Sequence, residues 1–151
     1  MIEEKIEELG FEIPDAPKPL AAYIPALIVD KLVFTAGQLP MEKGVLNFKG
    51  KLGADIDDDE GRRAAEICAL NCLSVIKSVI GDLERIEQVV KLTVFVNSAA
   101  GFTGQPKIAN GASELIGKIF GDKGKHVRSA VGVNELPLNS PVEIEMIVRV
   151  K

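Results

Sequence analysis

Apolar and polar positions follow two rhythms along this chain, one near 3.6 residues and one of two, and their order predicts the elements. Ile2, Ile6 and Leu9 recur at near-helical spacing, predicting a short helix over residues 1–10. Residues 11–22, FEIPDAPKPLAA, hold three prolines and predict an extended arm. LIVDKLVFTAG then reads as two strand segments around Asp30-Lys31, a tight-turn pair. A glycine-rich connection, 37–56, leaves room for a short strand at Val45–Phe48. A long helix starts after the aspartates at 57–59, which accept hydrogen bonds from free N–H groups and suit the positive helix end. Its stripe is Ala64, Ile67, Cys68, Asn71, Cys72, Val75, Ile76 and Val79, and Gly81 stops it. VVKLTVFV, 89–96, is a β-branched strand. Pro106 suits the first turn of a second helix with Ile108, Ala112, Leu115, Ile116 and Ile119 on one face and Gly121 at its end. Gly111 and Gly117 weaken that helix. Two strands, about 128–135 and 141–150, close the chain.

This order predicts an α+β fold, a two-layer sandwich with a mixed five- to six-stranded sheet and two helices on one face. Val142, Ile144, Met146, Val148 and Val150 make one apolar strand face, expected under the helices together with Val131 and Val133. Arg128, Ala130, Gly132, Glu143 and Glu145 then share the opposite face, with Val33, Phe95 and Ile147 among the charges. Two helices cannot cover both sides of such a sheet. The bare side is too apolar for water and too charged for a core, so oligomerisation through it is expected, with a site trapped between subunits. No repeat, linker or low-complexity run interrupts the 151 residues, so one domain over 1–151 is expected.

Composition narrows the chemistry. A formal charge of −4 argues against binding driven by phosphate neutralisation. No apolar run approaches the roughly 20 residues that span a bilayer. The acidic opening lacks the basic and apolar regions of a signal peptide, so a soluble cytoplasmic protein is expected. Cys68 and Cys72, four apart in a helical pattern, read as small apolar residues on a buried face. The single histidine, His126, excludes multi-histidine zinc sites.

Three collinear blocks carry a resemblance. AYIPALIVDKLVFTAGQLP, 22–40, places a tyrosine before a hairpin leading to a threonine–glycine–glutamine–proline element. KLTVFV, 91–96, forms a central strand, and RSAVGVNELP with VEIEMI closes the pattern over 128–147. In these blocks the chain resembles the RidA/YjgF family, also called L-PSP endoribonuclease-like or imine/enamine deaminases, over residues 20–150. The resemblance implies a chorismate-mutase-like α+β sandwich and a homotrimer with clefts between subunits. It implies hydrolysis of reactive 2-imino acids to 2-keto acids and ammonia, without cofactor or metal. Arg128 falls on the family arginine that holds the substrate carboxylate, a task suited to a planar, permanently charged fork. Glu143 falls on the glutamate associated with the attacking water. Tyr23 matches the tyrosine lining the cleft, and Gly37 the glycine whose backbone approaches the ligand. Asn110 is the nearest match to a cleft asparagine. Ala130 and Gly132 depart from the family's cysteine and larger residue and imply an altered cleft wall. With an extension over residues 1–20, they mark a divergent branch.

Each assignment has a plainer alternative. Arg128 at a strand start also suits an ion pair with Glu143 or Glu145, and alternating glutamates suit a solvated or interface face. Tyr23 also suits simple packing. His126 reads more readily as part of the basic Lys123/Lys125 loop than of a cleft. If the last two strands form a hairpin turning near 138, Arg128 and Glu143 lie about 16 Å apart at ~3.3 Å per residue, too far for one small acid. Two further functions stay open. One is a trimer that binds a small keto or carboxylic acid without turnover. The other is an endoribonuclease or translation inhibitor, which the acidic balance disfavours.

Overall fold

The computed structural model describes residues 1–17 and 22–151; residues 18–21 of the expected arm lie outside the described residues. The elements are α1 (Ile2–Glu8), β1 (Ala26–Val29), β2 (Leu32–Thr35), β3 (Met41–Glu42), β4 (Val45–Leu46), α2 (Asp58–Ile80), β5 (Ile86–Asn97), α3 (Gln105–Phe120), β6 (Val127–Val133) and β7 (Val142–Val150). Five strands form one mixed sheet in the order β1-β2-β7-β5-β6, and β3-β4 make a separate hairpin. The fold is an α+β sandwich, as its pattern predicted.

Local chemistry accounts for the element ends. Asp57 caps α2 by accepting from the Glu60 N–H at 2.8 Å, while the Glu60 side chain turns back toward the Asp57 N–H. Gly81, at φ 85°, ends the helix in a conformation that favours glycine. Asp30 takes φ 53° in the two-residue turn joining β1 to β2, a conformation that Asp tolerates. Before β1, the described part of the arm packs Phe11, Ile13 and Ala16 against the core. The Ser74 hydroxyl fixes it by donating to the Pro14 carbonyl at 2.6 Å.

The core lies between the helices and one sheet face. Val142, Ile144, Met146, Val148 and Val150 are buried there, with Leu92, Val94 and Val96 of β5 and Val33 of β2. Val33 pairs with Val148 and faces the helices, which corrects its expected place on the bare side. Cys68 and Cys72 of α2 sit against β7, their thiols near the carbonyls of Val142 and Ile144. Burial pushes both thiols up, Cys72 to about 12, so neither is a thiolate at neutral pH.

The larger correction concerns the last two strands. They form no hairpin. β6 pairs in parallel with β5, and β7 pairs antiparallel with the other edge of β5. The crossover through α3 makes β6 an outer strand. Arg128, Ala130 and Gly132 pair with Leu92, Val94 and Val96, so they lie on the helix side. Val131 pairs with exposed-side Phe95 and is 43% exposed. Apolar character alone points Val131 and Val133 to the core, but they lie on the sheet face that no helix covers. Glu143 and Glu145 do lie on the bare side, opposite Phe95 and Thr93.

The two helix glycines serve different ends. A Cβ at Gly111 would lie 2.3 Å from the Arg62 carbonyl oxygen, so the missing side chain sets how closely α2 and α3 pack. A Cβ at Gly117 would meet nothing within 4 Å. Gly111→Ala should therefore destabilise the protein by about 1–3 kcal/mol through overpacking. Gly117→Ala should stabilise it by about 0.5–1 kcal/mol through helix propensity. Urea unfolding of both variants checks the opposite signs.

Candidate functional site

Two separate clusters contain four of the five residues singled out in the sequence. Arg128 emerges from β6 beneath α3. Its Nη1 donates to Asn110 Oδ1 at 2.8 Å and to Ser113 Oγ at 3.1 Å. Its Nη2 makes only a 3.5 Å contact with the Pro106 carbonyl. Asn110 and Ser113 lie three apart on α3, the spacing that puts two side chains on one helix face. The guanidinium is thus oriented by neutral acceptors and keeps donors free, and among the described residues no carboxylate pairs with it. Neither Glu143 nor Glu145 reaches it from the other side of the sheet. The ion-pair alternative is therefore excluded within one chain.

His126 belongs to this cluster and not to a free basic loop. Its Nε2 lies 2.9 Å from Ser113 Oγ and its Nδ1 lies 2.6 Å from the Gly124 carbonyl. Ser113 and His126 were not selected as site residues from sequence. Their signals were Ser113's three-residue spacing from Asn110 on α3 and His126's place at the entry to β6, two residues before Arg128. An open pocket of about 350 Å³ is lined by Ser113, Gly117, Gly124, Lys125, His126 and Arg128. The larger cavity of about 520 Å³ lies elsewhere, among residues 10–14, the β3–β4 hairpin and α2.

Gly132 does not open space, because a Cβ there would lie 2.8 Å from Gln105 Nε2. That amide is held by the Phe102 carbonyl at 2.8 Å and by Ser98 Oγ at 3.3 Å. Ala130 packs against the core.

The second cluster forms where β2 leaves β7. Phe34 pairs with Ile147, and pairing resumes at Gln38 with Ile144. Four steps on one strand thus match three on the other, which is a bulge. The Met146 N–H left over by the bulge donates to Thr35 Oγ1 at 2.9 Å. Asn71 of α2 secures the exit by donating to the carbonyls of Leu39 and Met41 at 2.8 and 2.9 Å. Gly37 is thereby laid over Glu143, and a Cβ at Gly37 would lie 2.8 Å from the Glu143 carboxyl. Among the described residues that carboxyl receives no hydrogen bond. Burial, and then the like charge of Glu145, raise its pKa above the ordinary carboxylate value. Tyr23, just before β1, is 65% exposed and joins neither cluster through a hydrogen bond among the described residues.

The clusters do not meet in one chain. Arg128 is level with Leu92 and Glu143 with Phe95, three steps apart on β5 and on opposite faces. The expected five-residue offset within a hairpin is replaced by this arrangement. Among the described residues no group of three or more His, Cys, Asp or Glu side chains could hold a metal ion.

Comparison with known proteins places this geometry. The family model described as "YjgF/chorismate mutase-like, putative endoribonuclease" matches residues 3–149. The chain belongs to the RidA/YjgF family. Among relatives, it is 41% identical over 144 residues to the protein TCP17 of Trypanosoma cruzi, covering 95% of this chain and 90% of that one. It is 30% identical over 135 residues to the 2-iminobutanoate/2-iminopropanoate deaminase of Dermatophagoides farinae, covering 89% and 91%. Among solved structures, Atu1372 of Agrobacterium tumefaciens, a protein of unknown function, superposes with a TM-score of 0.94 at 44% identity, covering 99% of this chain and 92% of that one. Membership of the RidA/YjgF family thus agrees with the architecture read from the pattern. No helix among the described residues is long and apolar enough to cross a membrane.

The raised Glu143 pKa has a definite stability sign. Between the unfolded value near 4.5 and the higher folded value, the folded state holds a proton that the unfolded state has released. This group's contribution to stability therefore falls as pH climbs through that window. Glu143→Gln removes the dependence. Its stability relative to wild type should rise from pH 4 to pH 7, as followed by urea unfolding at both values.

Proposed function

We propose that this chain hydrolyses small reactive 2-imino or enamino acids to 2-keto acids and ammonia, in a cleft completed by a second copy within a homotrimer. The observation that supports the reading is the presence of two half-sites on one chain. One is an oriented, carboxylate-free guanidinium at Arg128, and the other an unpartnered, proton-affine carboxyl at Glu143 beneath Gly37. The similarity to a deaminase from Dermatophagoides farinae supports the same chemistry.

The bare sheet face supports assembly. Leu27, Val29, Phe34, Val127 and Val131 are all exposed on that side. Such an apolar patch is poorly matched to water and suits contact between copies. In that assembly, Arg128 of one subunit and Glu143 of another share a cleft, and Tyr23 closes it.

In this mechanism Arg128 forks onto the substrate carboxylate, with Asn110 holding the guanidinium in plane. Gly37 lets backbone approach the ligand. Glu143 takes a proton from water as the oxygen bonds to the C=N carbon. The raised proton affinity makes Glu143 a stronger base than a solvated carboxylate. Glu143 passes that proton to nitrogen to give the carbinolamine, then takes the hydroxyl proton and delivers it to nitrogen as the C=O forms and the C–N bond breaks, so ammonia leaves and the carboxylate is regenerated. Net, one imine and one water give one keto acid and one ammonia.

Ammonia release from 2-imino acids generated in situ tests the proposal. Arg128→Ala should lose binding and turnover together. Glu143→Gln should lower turnover by roughly 10²–10⁴-fold while still binding a 2-keto acid. Sedimentation should return three times the chain mass. A monomer, or full turnover by Arg128→Ala, would sink the reading.

A further inference from the structure

The Ser113–His126–Gly124 line beside Arg128 has a property that imine hydrolysis leaves unused. A carbonyl only accepts, so the 2.6 Å contact to Gly124 O places the proton of neutral His126 on Nδ1. Nε2 then presents a lone pair, and the 2.9 Å contact makes the Ser113 hydroxyl its donor. One lone pair of Ser113 Oγ accepts from Arg128 Nη1 at 3.1 Å, which leaves the other free. A hydroxyl, a base in hydrogen-bond reach and a third group orienting that base are the parts of a covalent acyl-transfer site.

Three elements hold these parts independently. Ser113 sits inside α3, and His126 lies immediately before β6. Gly124 is buried in a 3-10 turn, where a Cβ would lie 2.7 Å from the Ile116 carbonyl oxygen, so its own carbonyl is fixed by close packing. All three residues line or frame the open 350 Å³ pocket, which admits a small substrate. Arg128, which has no carboxylate partner among the described residues, makes the rim cationic, whereas the exposed Lys125 is paired with Asp122 at 2.9 Å.

We propose that Ser113 is a nucleophile and His126 its general base for small acyl esters, with anionic acyl chains favoured by the cationic rim. Ser113 Oγ bonds to the ester carbonyl carbon as its proton moves to His126 Nε2. The Arg128 guanidinium faces the oxygen on which negative charge develops. The C–O bond to the leaving alcohol then breaks, and the alcohol departs with the proton from Nε2. Water attacks the acyl-serine, its proton passes to Nε2, and the acid leaves as Ser113 regains that proton. The site uses Arg128 but neither Glu143 nor a second copy of the chain.

The test combines covalent labelling with ester turnover. Wild type treated with a fluorophosphonate should gain one adduct per chain, mapped to Ser113 by peptide mass. It should also release a burst of nitrophenolate from 4-nitrophenyl acetate, and faster from 4-nitrophenyl hemisuccinate. Ser113→Ala should show neither adduct nor burst. His126→Asn supplies an amide donor near Gly124 but no base, and should label at least ~100-fold more slowly. Thermal melts verify that both variants fold. If Ser113→Ala does not fold, adduct mapping in wild type and the His126→Asn rate decide the matter. An unlabelled wild type, an adduct elsewhere, or His126→Asn labelling at the wild-type rate overturns the proposal. Because the adduct is scored by mass, its absence leaves the imine reading standing, and loss of ammonia release leaves this one standing.

Discussion

Strand β5 is the constraint on which the site depends. It carries β6 in parallel on one side and β7 antiparallel on the other, and the alternation of side chains along it dictates what each neighbour can present. Leu92, Val94 and Val96 must face the helices because nothing else can bury them. Their partners on β6 are then obliged to turn the same way, which sends Arg128 beneath α3. Their partners on β7 leave the glutamates between them on the bare side. A slip of one residue would exchange the two sets and expose the core, so burial of these apolar side chains fixes where the charged groups lie.

Much of this was legible from the chain itself. The aspartates at the start of α2, the proline at the start of α3 and the apolar alternation of β7 each point to one local structure. The cysteines read as core residues and are core residues, pressed against β7 by the helix that carries them. The location of β6 was harder, because two adjacent strands separated by a polar turn look like a hairpin whichever neighbour they choose. Only the tertiary placement of α3 decides that β6 joins β5, and no residue within 128–135 encodes it. Val131 was misassigned for the same reason. An apolar side chain on an edge strand resembles a core residue until its covering layer is known.

The two clusters also differ in how visible they were. Arg128, Glu143 and Gly37 stood out through the block pattern, and Asn110 was close enough in spacing to be named. Ser113 has no signal in a polar stretch and His126 reads as part of a basic loop, because the meaning of both lies in distances between α3 and the entry to β6. The Gly132 position carries a different lesson. A missing side chain is not a vacancy where a neighbouring helix supplies one, and here the Gln105 amide takes the space. The bulge at Thr35 is likewise a packing solution. A threonine hydroxyl replaces a backbone carbonyl as acceptor, and the surplus residue turns the chain so that glycine meets glutamate.

The opposite facing of Arg128 and Glu143 makes any chemistry that draws on both a property of pairs of chains. Subunits lacking one group can then lend the other. In the proposed trimer, chains without Arg128 mixed with chains without Glu143 would form some clefts with both groups intact, so two inactive preparations would complement each other once their subunits exchange. A single chain carries each half-site on a different side of the same sheet.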